Sequence, residues 1–451
     1  MKRFIQTLKN IWSIEDLRKR ILYTILLVLV YRIGSYIALP GVDPSKLGAL
    51  QNQGREGLMG LLNMFSGGAF SNASIFALGI MPYITASIVI QLLVMVVPYF
   101  QKMQREGESG RRKMNQITRW LTVIVTAMQA PAYIQNMTYQ LGATPTAFYP
   151  FDGTGPTTFF WISSIIILVS GTLFVMWLGE RITEKGVGNG ISLLIMIGII
   201  ARLPFALSAE FMSRLTESGG LVMFLFELIV LLAVILLVIL LVQGTRRIPV
   251  QYAKRIVGNK QYGGVRQYIP IKVNAAGVMP IIFAQALMFL PITFMGFTGE
   301  SSSKFWMAFA DYNSFWYNVA FAILVVLFTY FYTAIAINPN QMADDMKKNG
   351  GFIPGVKPGK KTAEYLEGIL SKITLPGSIF LAIVAILPAI IRLFGVNTQF
   401  AQFYGGTSLL ILVGVILDTL QQIESHLLMR HYDGLTKTGR IKGRTSMSIQ
   451  A

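Results

Sequence analysis

The sequence predicts an all-α, polytopic membrane protein with ten transmembrane helices, and three observations carry that prediction. Apolar residues fill 53% of the 451 positions and charged residues only 13%, the balance of a chain that sits in lipid rather than of several soluble domains. Apolar stretches long enough to cross a bilayer recur near 21–39, 74–97, 118–138, 157–178, 190–208, 220–243, 274–295, 315–337, 374–394 and 406–428. The connecting segments alternate in charge. The set 1–20, 98–119, 179–189, 244–273, 338–373 and 429–451 holds 32 Lys and Arg, and the other set holds four: Lys46, Arg55, Arg214 and Lys304. That excess marks the cytoplasmic side, so both termini are expected in the cytoplasm. Five spans fall in 21–208 and five in 209–428. An odd number per half turns the second half over relative to the first, which is the topology of an inverted repeat.

Residues 1–20 place Phe4, Ile5, Leu8, Ile11, Trp12 and Leu17 at helical spacing among basic residues, as in a helix lying at the cytoplasmic interface. No small-residue cleavage site follows a short apolar core, so 21–39 is expected to be retained as a span. The stretch 57–98 is divided. Its second half, from Ser74, is apolar and of spanning length, whereas Met64–Ser74 carries Ser66, Gly67, Gly68, Ser71 and Asn72. Weakly helical backbone at membrane depth survives only inside protein or beside a water-filled cavity. The residues alone leave two readings open, a segment tucked into the protein interior or a loop outside the membrane ending in an interfacial helix.

Glycines at 186, 188 and 190 predict a tight turn between spans four and five. No strand precedes them, so a phosphate-binding loop is rejected. The loop 244–273 holds Arg246, Arg247, Lys254, Arg255, Lys260, Arg266 and Lys272, no acid, and interleaved Tyr252, Tyr262 and Tyr268. Alternating Val250 and Tyr252 with Gly263 and Gly264 predict a protruding hairpin. Its charge suits phosphate backbones or acidic protein surfaces. The loop 338–373 is basic too, with a Pro/Gly-shaped turn in GGFIPGVKPGKKT, 350–362, and a helix expected to be capped by Thr362. The tail 429–451 is basic, polar and expected to be flexible.

Ionisable groups are sparse within the spans: Arg32, Glu227 and Asp418, expected to lie apart from one another. Isolated groups make no proton relay. His426 and His431 are the two histidines and there is no cysteine, so no metal, cofactor or catalytic constellation is expected and the chain does not read as an enzyme.

The segment NMFSGGAFSNASIFALGIMPYITASIVIQLL, residues 63–93, closely resembles the plug and following half-helix of the SecY family, the large subunit of the Sec protein-conducting channel. The resemblance extends over the whole chain in order: YRIGSYIALPG, EGESGRRKMNQITR, GTLFVMWLGERITEKGVGNGIS, RRIPVQYAKR, PIKVNAAGVMPIIFA, FIPGVKPGKKTAEYL and YGGTSLLI. It implies two five-span halves around a central pore, closed by a ring of aliphatic side chains. Position by position, that ring falls on Ile80, Ile84, Ile191, Ile195, Ile282 and Ile411. The residues agree in one respect, since 80/84 and 191/195 are i,i+4 pairs that share a helix face.

The resemblance further implies a plug at about 60–73, including Met64, Phe65, Ser66, Gly67, Gly68 and Ser71. It implies a lateral gate with Thr85, Gln129 and Asn274 as its polar cluster. Ribosome and SecA ATPase would dock on the loops through Arg246, Arg247, Lys254, Arg255 and Lys357. The family commonly has Arg where this chain has Lys357, a change that matters at a bidentate site. SecE and SecG are the implied membrane partners, signal peptides and nascent chains the clients, membrane lipids the surroundings, and the bacterial cytoplasmic membrane the location. The competing class is a secondary transporter with a five-plus-five repeat. That class needs substrate-coordinating polar groups at mid-membrane, where this chain lines up isoleucines.

Overall fold

The computed structural model describes residues 12, 14–48, 60, 63–141, 157–216, 220–252, 255–257, 260–262, 266–285, 287–288 and 314–438. Each of the ten expected spans contains helix where it is described, although 35–39, 74–80 and 274–278 form turns and bends at span ends. The helices are α1 (Glu15–Gly34), α2 (Met81–Val96), α3 (Pro98–Arg105), α4 (Glu108–Leu141), α5 (Thr158–Lys185), α6 (Gly190–Thr216) and α7 (Gly220–Gln243). After them come α8 (Phe315–Ala336), α9 (Pro339–Lys348), α10 (Lys360–Arg392), α11 (Thr398–Ala401) and α12 (Gly406–Thr438). Span seven begins with a helical stretch over 279–285, and its end after 288 lies outside the described residues. Residues α1, α2, α4, α5 and α6 contribute pack as one group, and α7, α8, α10 and α12 as a second. The two groups meet where α6 touches α7 and α12.

Six described helices are long and apolar enough to cross a membrane unaided. The remaining spans fall short for visible reasons. Helix α2 has 16 residues, about 24 Å at 1.5 Å per residue, and bends by 101° into α3 at Pro98, whose ring cannot continue a helix. The expected span from 74 therefore starts at Met81, because 66–80 forms successive turns. Helix α4 begins within the charged segment EGESGRRKMNQITR and runs for 34 residues.

Two boundaries differ from expectation at the polar ends. The tail does not begin at 429 but continues α12 to Thr438, with 439–451 outside the described residues. Helix α10 is capped by Gly359, at φ 101°, rather than by Thr362. The Thr362 hydroxyl instead donates to the Lys357 carbonyl at 2.9 Å and pins the preceding turn. The amphipathic N-terminal segment lies largely outside the described residues, and α1 begins at Glu15.

At the basic end of the bundle the expected hairpin forms. Strand β1 (Thr245–Tyr252) pairs antiparallel with β4 (Arg266–Lys272), and β2 (Arg255–Val257) with β3 (Lys260–Tyr262). Strand β5 (Gly351–Phe352) of the other loop adds to the free edge of β1, with Gln251 opposite Phe352. Ile248, Val250 and Ile271 point inward to Met346, Ile353, Leu366 and Leu370. The two basic loops thus share one sheet and one small core.

Candidate functional site

The polar stretch after residue 62 lies inside the protein. Nearly every residue from Asn63 to Ile80 is buried, which settles the two open readings in favour of a tucked segment. Its backbone groups find partners locally and on surrounding helices, as burial requires. Ser66 Oγ accepts from Phe70 N–H, and Asn63 Oδ1 from Ser71 N–H. Tyr31 of α1 donates to the Ser66 carbonyl, and Tyr133 of α4 to the Phe70 carbonyl at 2.9 Å. Ala38 and Ser74 form an isolated antiparallel bridge. Gly67 and Gly68 both have positive φ, 64° and 95°, which glycine adopts without the cost a side chain would bring.

All six ring isoleucines belong to the hydrophobic cluster this segment enters. Ile80, Ile195 and Ile411 are buried in it together with Met64, Phe65 and Ala69, and Ile84, Ile191 and Ile282 pack against it. Ile84, Ile195, Ile282 and Ile411 line one apolar cavity of about 30 Å³ with Phe65, Met81, Thr85 and Gln285. That volume admits about two waters at most. On the other side, Met64 lines a polar cavity of about 280 Å³ with Arg32, Asn63, Arg202 and Gln402. Adjacent residues of the tucked segment, Met64 and Phe65, therefore stand between a wet chamber and a greasy waist. Stiff β-branched side chains hold such a constriction in shape.

The polar trio is not joined. Thr85 donates to the Met81 carbonyl of its own helix, and Asn274 Nδ2 to the Gly277 carbonyl. No hydrogen bond links Thr85, Gln129 and Asn274 among the described residues. The buried Asn274 Oδ1 lacks a hydrogen-bond partner. The polar neighbour of Thr85 at the waist is Gln285, 5% exposed, which sequence reading missed because one Gln in an apolar helix carries no pattern.

On the basic end, Arg246, Arg247, Lys272, Lys347, Lys348, Lys357, Lys360 and Lys361 are exposed. Lys254 lies outside the described residues, and Arg255 is placed by its backbone in β2. The sheet fixes Arg246 and Arg247 opposite Ile271 and Pro270. The turn pinned by Thr362 carries the exposed Lys357 on the second loop.

Glu227 is bonded to neither Arg32 nor Asp418 among the described residues, but it has charged partners from beyond the expected spans. Arg214 Nη2 donates to Glu227 Oε1 at 2.6 Å and Arg214 Nε to Glu210 Oε1 at 3.0 Å. All three residues are under 9% exposed. Glu210 also accepts from Asn397 N–H, and Arg214 donates to the Gly395 carbonyl. Tyr404 donates to the Glu227 carbonyl, its hydroxyl held well above its ordinary pKa by burial and then by the nearby carboxylates. The network formed because α6 continues to Thr216, past the expected end at 208.

The family model described as SecY matches residues 74–420. The chain is 44% identical to the protein translocase subunit SecY of Halalkalibacterium halodurans over 96% of this chain and 100% of that one. It is 40% identical to the subunit of the same name from Chlamydia trachomatis, over 97% and 99%. Among solved structures, one described as a protein conducting channel superposes with TM-score 0.63 at 18% identity, covering 93% of this chain and 95% of the other. Sec61 in the canine ribosome-channel complex gives 0.59 at 17% identity with the same coverage. With ten helical spans in two groups, a buried plug-like segment at their seam and relatives matched end to end, the chain belongs to the SecY family.

Proposed function

We infer that the chain is a protein-conducting channel: it passes unfolded polypeptide across a membrane and releases apolar segments sideways into lipid. The observation that carries this is the seam between the halves. There Ile84 and Ile195 of the first half and Ile282 and Ile411 of the second close with Phe65 around a 30 Å³ cavity, and Ile80 and Ile191 join the same cluster. A secondary transporter is not favoured, because the waist offers Thr85 and Gln285 but no charged group to hold a solute. The plug is 60–73, and its removal from beneath the isoleucines opens the path. Lateral release is assigned to the side where α2 faces the 279–285 stretch, with Thr85, Gln129 and Asn274 near it. Since those three are not bonded to one another, little polar glue resists a competing apolar segment.

Energy comes from partners. The two basic loops, through Arg246, Arg247, Lys254, Arg255 and Lys357, are the docking surface for a ribosome and for SecA, and SecE and SecG are the membrane partners. The site of action is the bacterial cytoplasmic membrane, with both termini cytoplasmic as the charge asymmetry demands. Replacing Ile84 or Ile191 with Ser should hydrate the waist and raise resting ion leak in proteoliposomes roughly tenfold, about 1.4 kcal/mol of barrier. Photocrosslinking from Ile84 and Ile282 should capture a stalled secretory chain. Unchanged leak together with no crosslink would refute the constriction.

A further inference from the structure

The polar chamber on the far side of Met64 contains two arginines, Arg32 and Arg202, and both bind the tucked segment. Arg32 of α1 donates through Nη1 to the Gly67 carbonyl at 2.9 Å. Arg202 of α6 donates through Nη2 to Asn63 Oδ1 at 3.1 Å and to Ser71 Oγ at 3.0 Å. The second arm of Arg32 is steadied by Tyr36, whose hydroxyl accepts at 3.1 Å and whose ring lies 5.3 Å from the guanidinium carbon. No Asp or Glu lines the chamber among the described residues, and both guanidinium groups donate to oxygens of the segment. Charge-assisted hydrogen bonds are about twice as strong as neutral ones, and a chamber partly screened from bulk water strengthens them further.

The glycines fit this arrangement. A Cβ on Gly67 would lie 2.7 Å from Arg32 Nη1 and 2.9 Å from the Gly198 Cα, and one on Gly68 would lie 2.5 Å from Arg202 Nη2. The Gly-Gly pair therefore leaves room for two guanidinium groups to reach the backbone, in addition to supplying the left-handed turns.

We propose that Arg32 and Arg202 form a two-armed clasp that holds segment 63–73 in its seated position, so that unseating it requires both arms to let go. The inference rests on the channel reading above. Arg32 and Arg202 act as positioning residues, through the plug rather than on the passing chain.

The chain has no cysteine, so a single introduced thiol reports cleanly. Ala69 is fully buried among the waist residues and does not line the chamber, so Ala69→Cys reacts with a water-soluble maleimide only when the segment moves. Adding Arg32→Met and Arg202→Met to the reconstituted full-length chain should speed that reaction at least tenfold, and the Arg→Lys pair should restore much of the protection. A thiol at Ala385, 3% exposed in the other half, should keep its rate. Equal Ala69→Cys rates with and without the arginines would overturn the clasp, as would equal acceleration at both thiols, which signals general loosening. Ion flux measured on the same vesicles separates the two readings: a faster thiol without added leak refutes the seal and leaves the clasp standing.

Discussion

Gly171 of α5 and Gly368 of α10 show how differently one residue type can be used. A Cβ at Gly171 would collide with the Ile75 carbonyl, a backbone group in the turn before α2, whereas at Gly368 nothing lies within 4 Å. Backbone cannot rotate aside as a side chain does, so Gly171→Ala must push α5 away from the turn. Overpacking of that kind costs about 1–3 kcal/mol. Gly368→Ala on an exposed helix face should gain up to about 1 kcal/mol from helix propensity. Thermal unfolding in detergent should therefore move in opposite directions for the two variants, and a shared direction would contradict the close approach. The ring isoleucines were nameable from resemblance, while the residues supplied only i,i+4 pairing. Arg32 and Arg202 were present in the sequence but without a role, because their partners lie 35 and more than 130 positions away.

At the scale of elements, α6 and α7 are joined by Arg214 between two buried carboxylates. Breaking one member of such a network costs far more than removing the whole, since a stranded buried charge is the expensive species. Arg214→Leu should destabilise by roughly 3–5 kcal/mol, and adding Glu210→Met with Glu227→Leu should recover most of that loss. Unfolding midpoints of the single and triple variants decide it; a triple as unstable as the single would mean the ions contribute more than their desolvation. Hydropathy made every span legible in the sequence, and Gly/Ser content marked the tucked segment as irregular. Helix ends were less legible. Helices α4, α10 and α12 outrun the apolar stretch with 34, 33 and 33 residues, and hydrophobicity falls off before the backbone stops being helical. Helix α6 was cut short because Glu210 and Arg214 look like surface residues until each is seen with its partner.

For the whole molecule, charge and greasiness are separated along the axis of the bundle. The shared sheet joins the loop of Arg246 and Arg247 to the loop of Lys357, about a hundred residues further on. Arg247→Glu combined with Lys357→Glu should weaken ribosome or SecA binding at least tenfold at about 0.1 M salt, with a smaller difference at 1 M, where screening is complete within about 3 Å. Affinity that is unchanged in pelleting assays would remove this face from the interface.

Strand β1 is paired along both edges, with β4 from Thr245 to Gln251 and with β5 at Gln251 and Tyr252, so its length is not free to drift. Inserting or deleting one residue between Arg246 and Val250 would rotate Ile248 and Val250 toward water and bring Arg247 down onto Met346 and Leu366. Over evolutionary time, gaps in this part of the gene should be purged from the strand itself.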